Sequence, residues 1–397
     1  MTIQKPSISV SAPPSRRTSI VVWLLFFFQF GAIGMFFPFL NIFYLQNGLS
    51  ATEVGLIGTA GAALSVLGAS AWGYLADRIG RIRLLLVAGA LGGALFFQIM
   101  PLLHTLEAFL ALTCLTGVIG AGVAPLVDSL TLGMLGERSE EYGRFRLGGS
   151  LGYILTAAFA GLVYERIGLR WMFFFYGLVI LGFAITALFL PPAPPRLENR
   201  PARGVASMVR QPVWLVFALA VLLVWIAAIG IINYIGPAIK SLGGSDSLVG
   251  LSTSLGALAE IPFMFFSGRW MRRFGAQVML GFAMLAYAAR LALYGWMPGP
   301  TWAIFIGMLN GPTYVFFWNS AVNTARRLAP PGYQATAQGL LGSVTNLGSV
   351  ISALFCGFLF DQMGPGGMFW VLAACCLAGF LIFWAGRKVN QLATPLQ

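Results

Sequence analysis

Three observations predict an all-α integral membrane protein, with twelve transmembrane helices in two pseudo-symmetric six-helix bundles. The 397-residue chain is 58 % apolar and 9 % charged, whereas soluble chains carry roughly a quarter charged residues. Apolar runs recur twelve times along it, each of about 20 residues and so able to cross a hydrocarbon core of about 30 Å at 1.5 Å per residue. A charged stretch, Gly73-Tyr-Leu-Ala-Asp77-Arg78-Ile-Gly80-Arg81-Ile-Arg83, returns in weaker form as Gly268-Arg-Trp-Met-Arg-Arg-Phe-Gly275, 195 residues later and close to half the chain length. The protein therefore reads as two related halves.

Taken in order, residues 1–19 form a Ser/Pro-rich basic tail, and the long apolar run after it lacks a convincing cleavage site, so the first helix is retained. Span 1 covers about 20–45 and carries Gln29, Gly31, Gly34 and Pro38, which membrane helices tolerate where neighbours pack closely. Span 2 opens on a capping box, Ser50-Ala-Thr-Glu53, and ends at the 73–83 loop. Spans 3 to 6 cover about 84–103, 106–135, 144–164 and 171–190. Residues 191–212 are proline-rich and basic, the natural linker between a bundle at 20–190 and a second at 213–386. Spans 7 to 12 follow at about 213–239, 248–267, 277–296, 302–325, 335–360 and 368–385, and 387–397 form a second tail. Gly161-Leu-Val-Tyr-Glu-Arg-Ile-Gly168, ending span 5, recurs as Gly357-Phe-Leu-Phe-Asp-Gln-Met-Gly364, ending span 11. Its offset of 196 is a second repeat signal.

The net charge of +12 is sorted by side. With the amino terminus cytoplasmic, every Lys and Arg except Arg166, Arg170, Lys240 and Arg290 falls in the tails and loops of that side. This is the positive-inside pattern of a multi-pass protein, such as one of a bacterial inner (plasma) membrane, with both termini cytoplasmic and no call for nucleic acid. Cys114, Cys356, Cys375 and Cys376 lie within apolar runs without metal-ligand spacing. No nucleophile with a base, metal cluster or phosphate loop is present, so neither an enzyme nor a cofactor is expected. The lipid bilayer is the one obligate partner, and a monomer suffices.

These residues resemble the major facilitator superfamily of secondary transporters. Gly73, Asp77, Arg78, Gly80 and Arg81 look like its signature between spans 2 and 3, and the copy after span 8 is also typical. Within the superfamily, the branch holding the lactose permease, phenylpropionate permease and nucleoside–proton symporter is nearest. Ala124-Pro125-Leu-Val-Asp128, then Tyr142-Gly143-Arg144-Phe-Arg146 and Gly149-Ser-Leu-Gly152-Tyr153, carry that likeness. By it, Asp128, Arg146 and Tyr153 are expected to contact solute, Glu260 and Arg290 fall on charged positions, and protons are implied as coupling ion. The resemblance also makes Gly73, Asp77, Arg78, Gly80 and Arg81 a gate. The chain departs from the lactose permease in spans 7 and 10, where Asn233, Asn319 and Asn323 stand in place of charges and no histidine occurs.

Apart from the resemblance, Asp128 and Glu260 are the two acids well inside spans. A charge at mid-bilayer costs at least about 2.5–3.5 kcal/mol on insertion scales, so such groups face a partner or a wet cavity. Asp128 and Arg146 lie at similar depth on antiparallel spans; they either hold two helices in register or serve the solute. For Glu260, burial opposes the charge and an arginine such as Arg290 supports it, the balance a coupling carboxylate needs; a static ion pair stays open. Asn233, Asn319 and Asn323 suit hydroxyls or amides, and interhelical bonding equally. The expected protein is a transporter of a small polar organic solute (a sugar, nucleoside or aromatic acid) by alternating access with proton symport. A proton-antiport exporter or uncoupled facilitator is the alternative, and a non-transporting membrane sensor comes last.

Overall fold

The computed structural model describes residues 15–135, 138, 141–190, 210–330 and 333–393. Most of the expected amino-terminal tail and linker, and the last four residues, lie outside the described residues. The first half contains α1 (Arg16–Gln46), α2 (Ala51–Ile79), α3 (Ile82–Phe97), α4 (Leu106–Gly120), α5 (Val123–Leu135), α6 (Tyr142–Ile167) and α7 (Met172–Leu188). The second contains α8 (Pro212–Ser241), α9 (Asp246–Phe274), α10 (Ala276–Trp296), α11 (Trp302–Gly307), α12 (Phe316–Leu328) and α13 (Gln334–Ala393). Among the described residues, ten stretches are long and apolar enough to cross a membrane. The last of them makes two passes, because Gly364 breaks α13, and α11 with α12 makes an interrupted one, which gives twelve.

Each interruption has a local cause. The fourth span is broken where Trp72 of α2 lies against Gly122 and its indole Nε1 donates to Val118 O at 2.9 Å, taking a carbonyl the helix would have used. In the tenth span Pro312 removes an N–H, and Gly311–Val315 form a π turn between α11 and α12. Thr313 Oγ1 donates to Leu309 O at 2.8 Å and so covers an acceptor within that turn. Two expected boundaries move: α2 continues through Gly73 to Ile79, and α9 through Gly268 to Phe274. Each ends instead at the second glycine of its motif. Gly80 and Gly275 have φ of 66° and 82°, a region open to glycine at no steric cost.

The positive-φ glycines display the repeat in the backbone. They fall into three pairs, Gly48 with Gly243, Gly80 with Gly275 and Gly168 with Gly364, at offsets of 195, 195 and 196. After the first pair, Ser50 and Ser245 cap α2 and α9 in the same way, each side chain accepting from the backbone N–H three residues on. The expected capping box at Ser50 and Glu53 is formed.

The halves meet through α2 with α13, α6 with α9, and α1 with α8. Their hydrogen bonds at Asn41, Ala51, Thr52, Thr59, Ile154 and Glu165 lie toward one face, here the distal face, where α1 gives way to α2. Gly161 and Gly250 let α6 and α9 touch there, since a Cβ on the first would meet the Cα of the second at 3.0 Å. Two carboxylates clasp the same face. Asp361 in α13 accepts from Ala51 N at 2.9 Å and Thr52 N at 2.7 Å, at the amino end of α2. Its repeat equivalent, Glu165 in α6, accepts from Ser247 N at 3.1 Å, at the amino end of α9. Farther along α2 and α13, Gly73, Gly339 and Gly342 have no heavy atom within 4 Å of where a Cβ would stand. The halves are joined at the distal face and part toward the other.

Candidate functional site

Between the halves lies a cavity of about 360 Å³, bordered by α1, α6, α8, α9, α10 and the π turn. Arg146 and Tyr153 enter it from α6, Glu260 from α9, Arg290 from α10, and Asn310 and Tyr314 from the interrupted tenth span. Arg290 is only 4 % exposed, and a buried guanidinium needs partners for its donors. It donates to Asn310 Oδ1, to Thr313 Oγ1 at 3.0 Å and to Tyr294 OH at 3.4 Å, and its Nε has no partner. Asn310 Nδ2 in turn donates to Glu260 Oε1. Glu260 and Arg290, which the sequence offers as available partners, are thus joined through one amide rather than as a direct ion pair. Arg146 lies with its guanidinium carbon 3.5 Å from the centre of the Phe30 ring, a cation–π contact on the opposite wall.

The other expected site residues are placed as follows. Asp128 lines neither this cavity nor the next; it accepts from Tyr142 OH at 2.8 Å, a bond that ties α5 to α6. Tyr142 precedes Arg146 by one helical turn and stands level with Asp128, while Arg146 turns toward Phe30 and the cavity. Asn319 Nδ2 donates to Ser267 Oγ at 3.1 Å, and Asn323 Nδ2 to Asn319 O at 2.8 Å and Met271 Sδ at 3.6 Å, so both fasten α12 to α9 outside the cavity. Asn233 borders a second cavity, and its backbone carbonyl accepts from Asn41 Nδ2 at 2.8 Å. Asp77, Arg78 and Arg81 are exposed around the end of α2, Gly80 terminates that helix and Gly73 lies within it. The bridging role of Asn310 was not legible; Asn310-Gly311-Pro312, an amide beside two helix breakers inside an apolar run, is the signal that marks it.

The second cavity, of about 550 Å³, lies across Ile33, Phe37 and Ile229, which border both. Gln29, Ser65, Thr113, Thr116, Asn233 and Ser349 line it, and among the described residues no charged side chain does. The pseudo-symmetry relates the two: Ser65 is the repeat equivalent of Glu260, Gly61 of Gly256 and Ser349 of Tyr153, at offsets of 195, 195 and 196. Gln29 Oε1 is buried and unpartnered. Among the described residues no group of His, Cys, Asp and Glu is placed to hold a metal ion.

A model of the MFS_1 like family matches residues 20–371. The maltose permease of Geobacillus stearothermophilus is 30 % identical over 94 % of this chain and 94 % of its own. The probable 3-phenylpropionic acid transporter of Escherichia coli (strain K12) is 26 % identical over 91 % of this chain and 96 % of its own. Among solved structures, the nucleoside transporter NupG superposes with a TM-score of 0.82 at 15 % identity, covering 94 % of this chain and 99 % of that one.

Proposed function

The chain belongs to the MFS_1 like family of membrane transporters, and from that premise we propose that it carries a small polar organic solute by alternating access, driven by proton symport through Glu260. The observation behind this reading is the Glu260, Asn310 and Arg290 chain of hydrogen bonds on the wall of the cavity between the halves. An ionisable group at membrane depth is costly, and one that meets both a cation and a cavity has the surroundings of a proton site. Arg146 and Tyr153 on the facing wall are the proposed solute contacts from the first half.

Residues 20–190 and 213–386 would be the two rocking bodies, with 191–212 as their linker and both termini in the cytoplasm. In the state described here the distal face is shut by the two clasps. The gate at Asp77, Arg78 and Arg81 belongs to the opposite face and would pin it in the other state. The relatives named for maltose and for 3-phenylpropionic acid, and the fold neighbour named for nucleosides, support a solute of that size. Maltose comes first among these because its permease is the most similar of the three in sequence.

The test is a pH-jump assay on purified protein in liposomes, with maltose, uridine and 3-phenylpropionate offered in turn. Proton entry that follows solute entry is the expected result. Proton flux against the solute would replace symport with antiport and export, and solute movement with no proton signal would leave a facilitator. The absence of any Asp, Glu, His, Lys or Arg from the interior of the tenth span, where Asn310, Asn319 and Asn323 stand, favours the facilitator reading.

A further inference from the structure

Asn310 stands between an acid and a base that never touch. We propose that it is the positioning residue that converts protonation of Glu260 into release of Arg290 toward solute, an inference that rests on the proton-coupling reading above. Arginine can only donate hydrogen bonds and an ionised carboxylate can only accept them. The amide is therefore fixed in one orientation, Oδ1 toward Arg290 and Nδ2 toward Glu260, and the chain is complete when Glu260 carries its negative charge.

Protonation ends that arrangement. Glu260 then has an O–H to place, and the acceptor it meets in the chain is Asn310 Oδ1, already used by Arg290. Its bond from Nδ2 also ceases to be charge-assisted, which roughly halves its strength. A half turn of the amide brings Oδ1 to the new O–H and leaves Nδ2 facing the guanidinium, donor against donor. Arg290 loses its bond to Asn310 while Thr313 and Tyr294 keep the side chain in place. The freed Nη1 belongs to a guanidinium on the cavity wall. It becomes a donor for a solute hydroxyl or carboxylate. Proton binding thus raises solute affinity, and by reciprocity solute raises proton affinity, which is the linkage symport requires.

The surroundings allow the turn. Gly256 and Gly307 lie beside Asn310, and a Cβ on Gly256 would stand 4.0 Å from that of Asn310 and 3.2 Å from Gly307 O. The side chain also begins at the π turn, whose extra residue sets it apart from the regular helix face. The other titratable groups facing Glu260 are Arg146 and Tyr153 from α6, Tyr287 from α10 and Tyr314 from the π turn. Of these only Arg146 is charged, and it has its own contact on Phe30. A serine or carboxylate at 310 could not exchange a donor for an acceptor at opposite ends of one rigid plane; asparagine can.

The experiment is pH-difference infrared spectroscopy of the whole protein in nanodiscs, which needs no solute. The carboxylic acid band that Glu260→Gln removes reports the acid, and the guanidinium bands that Arg290→Lys shifts report the arginine. In the wild type both should change together on acidification. In Asn310→Leu the acid band should still appear and the guanidinium response should be lost, while Asn310→Gln, which keeps the amide, should restore it. If Asn310→Leu does not fold, Asn310→Ala takes its place, with the same loss expected because it has neither donor nor acceptor to pass between Glu260 and Arg290. Guanidinium bands that still follow the acid band in Asn310→Leu or Asn310→Ala would overturn the proposal. A wild type in which no Glu260 band titrates would instead remove proton coupling itself, and this inference with it.

Discussion

The two cavities flanking the contact of α1 with α8 are made from equivalent helices of the two halves, yet one carries charge and the other none. Glu260 meets an arginine through an amide; Ser65, its equivalent, looks out on threonines, glycines and amides. The repeat has kept the backbone to the level of single φ angles, as Gly48 and Gly243 show, and has kept the wall glycines Gly61 and Gly256. Charged side chains stand on one side only. Helix packing is a property both halves must share, whereas a second buried acid and base would only add the cost of further charge at membrane depth.

That asymmetry can be broken most sharply at its charged pole. Glu260→Gln should abolish proton-driven accumulation in proteoliposomes, and adding Ser65→Glu should not restore it, because no arginine faces that position. Restoration would show the two cavities to be interchangeable. The next largest effect concerns stability. Arg290→Met leaves Asn310 Oδ1 without its donor and Glu260 without the cation that supports it through that amide, and a buried acceptor left unpaired costs about 1–3 kcal/mol. Thermal unfolding in detergent at neutral pH should show that loss, and Glu260→Gln in the same chain should recover most of it.

Asp128→Asn sharpens the boundary of the site. The carboxylate meets Tyr142 rather than either cavity, so solute KM should stay within about twofold and stability should fall by less than about 1 kcal/mol, because the amide oxygen still accepts from Tyr142 and only the charge assistance of that bond is lost. A large rise in KM would return Asp128 to the solute path. The smallest effect is expected in the neutral cavity. Gln29→Leu removes an unpartnered buried acceptor, whose desolvation costs about 1–3 kcal/mol, so melting should rise slightly or stay level. A clear fall would reveal a partner for that oxygen.

Much of the fold was legible because membrane spans declare themselves by length and composition, and because a repeat printed twice in sequence folds twice. The cap at Ser50 and the stops at Gly80 and Gly275 are local signals, and local physics decided them. What sequence reading missed depends on contacts between helices. The break at Gly122 exists because Trp72, fifty residues earlier, takes a carbonyl from the fourth span. Arg146 and Asp128 were expected at similar depth, but Tyr142 stands level with Asp128 and Arg146 meets Phe30, neighbours that only the packed helices reveal. Asn310 could be counted among the amides, while its place between Glu260 and Arg290 requires three helices and a π turn to be in hand.

The clasps at the distal face have a consequence for assembly. Each half contributes one acid, Glu165 or Asp361, and one helix amino end, at Ser247 or at Ala51 and Thr52. This is the self-complementary pattern of a twofold dimer, drawn within a single polypeptide. A chain of half the length, carrying both parts, would pair with its own copy through two equal contacts. Joining two such copies end to end would need only a tether, since the surface that aligns them was already present in each.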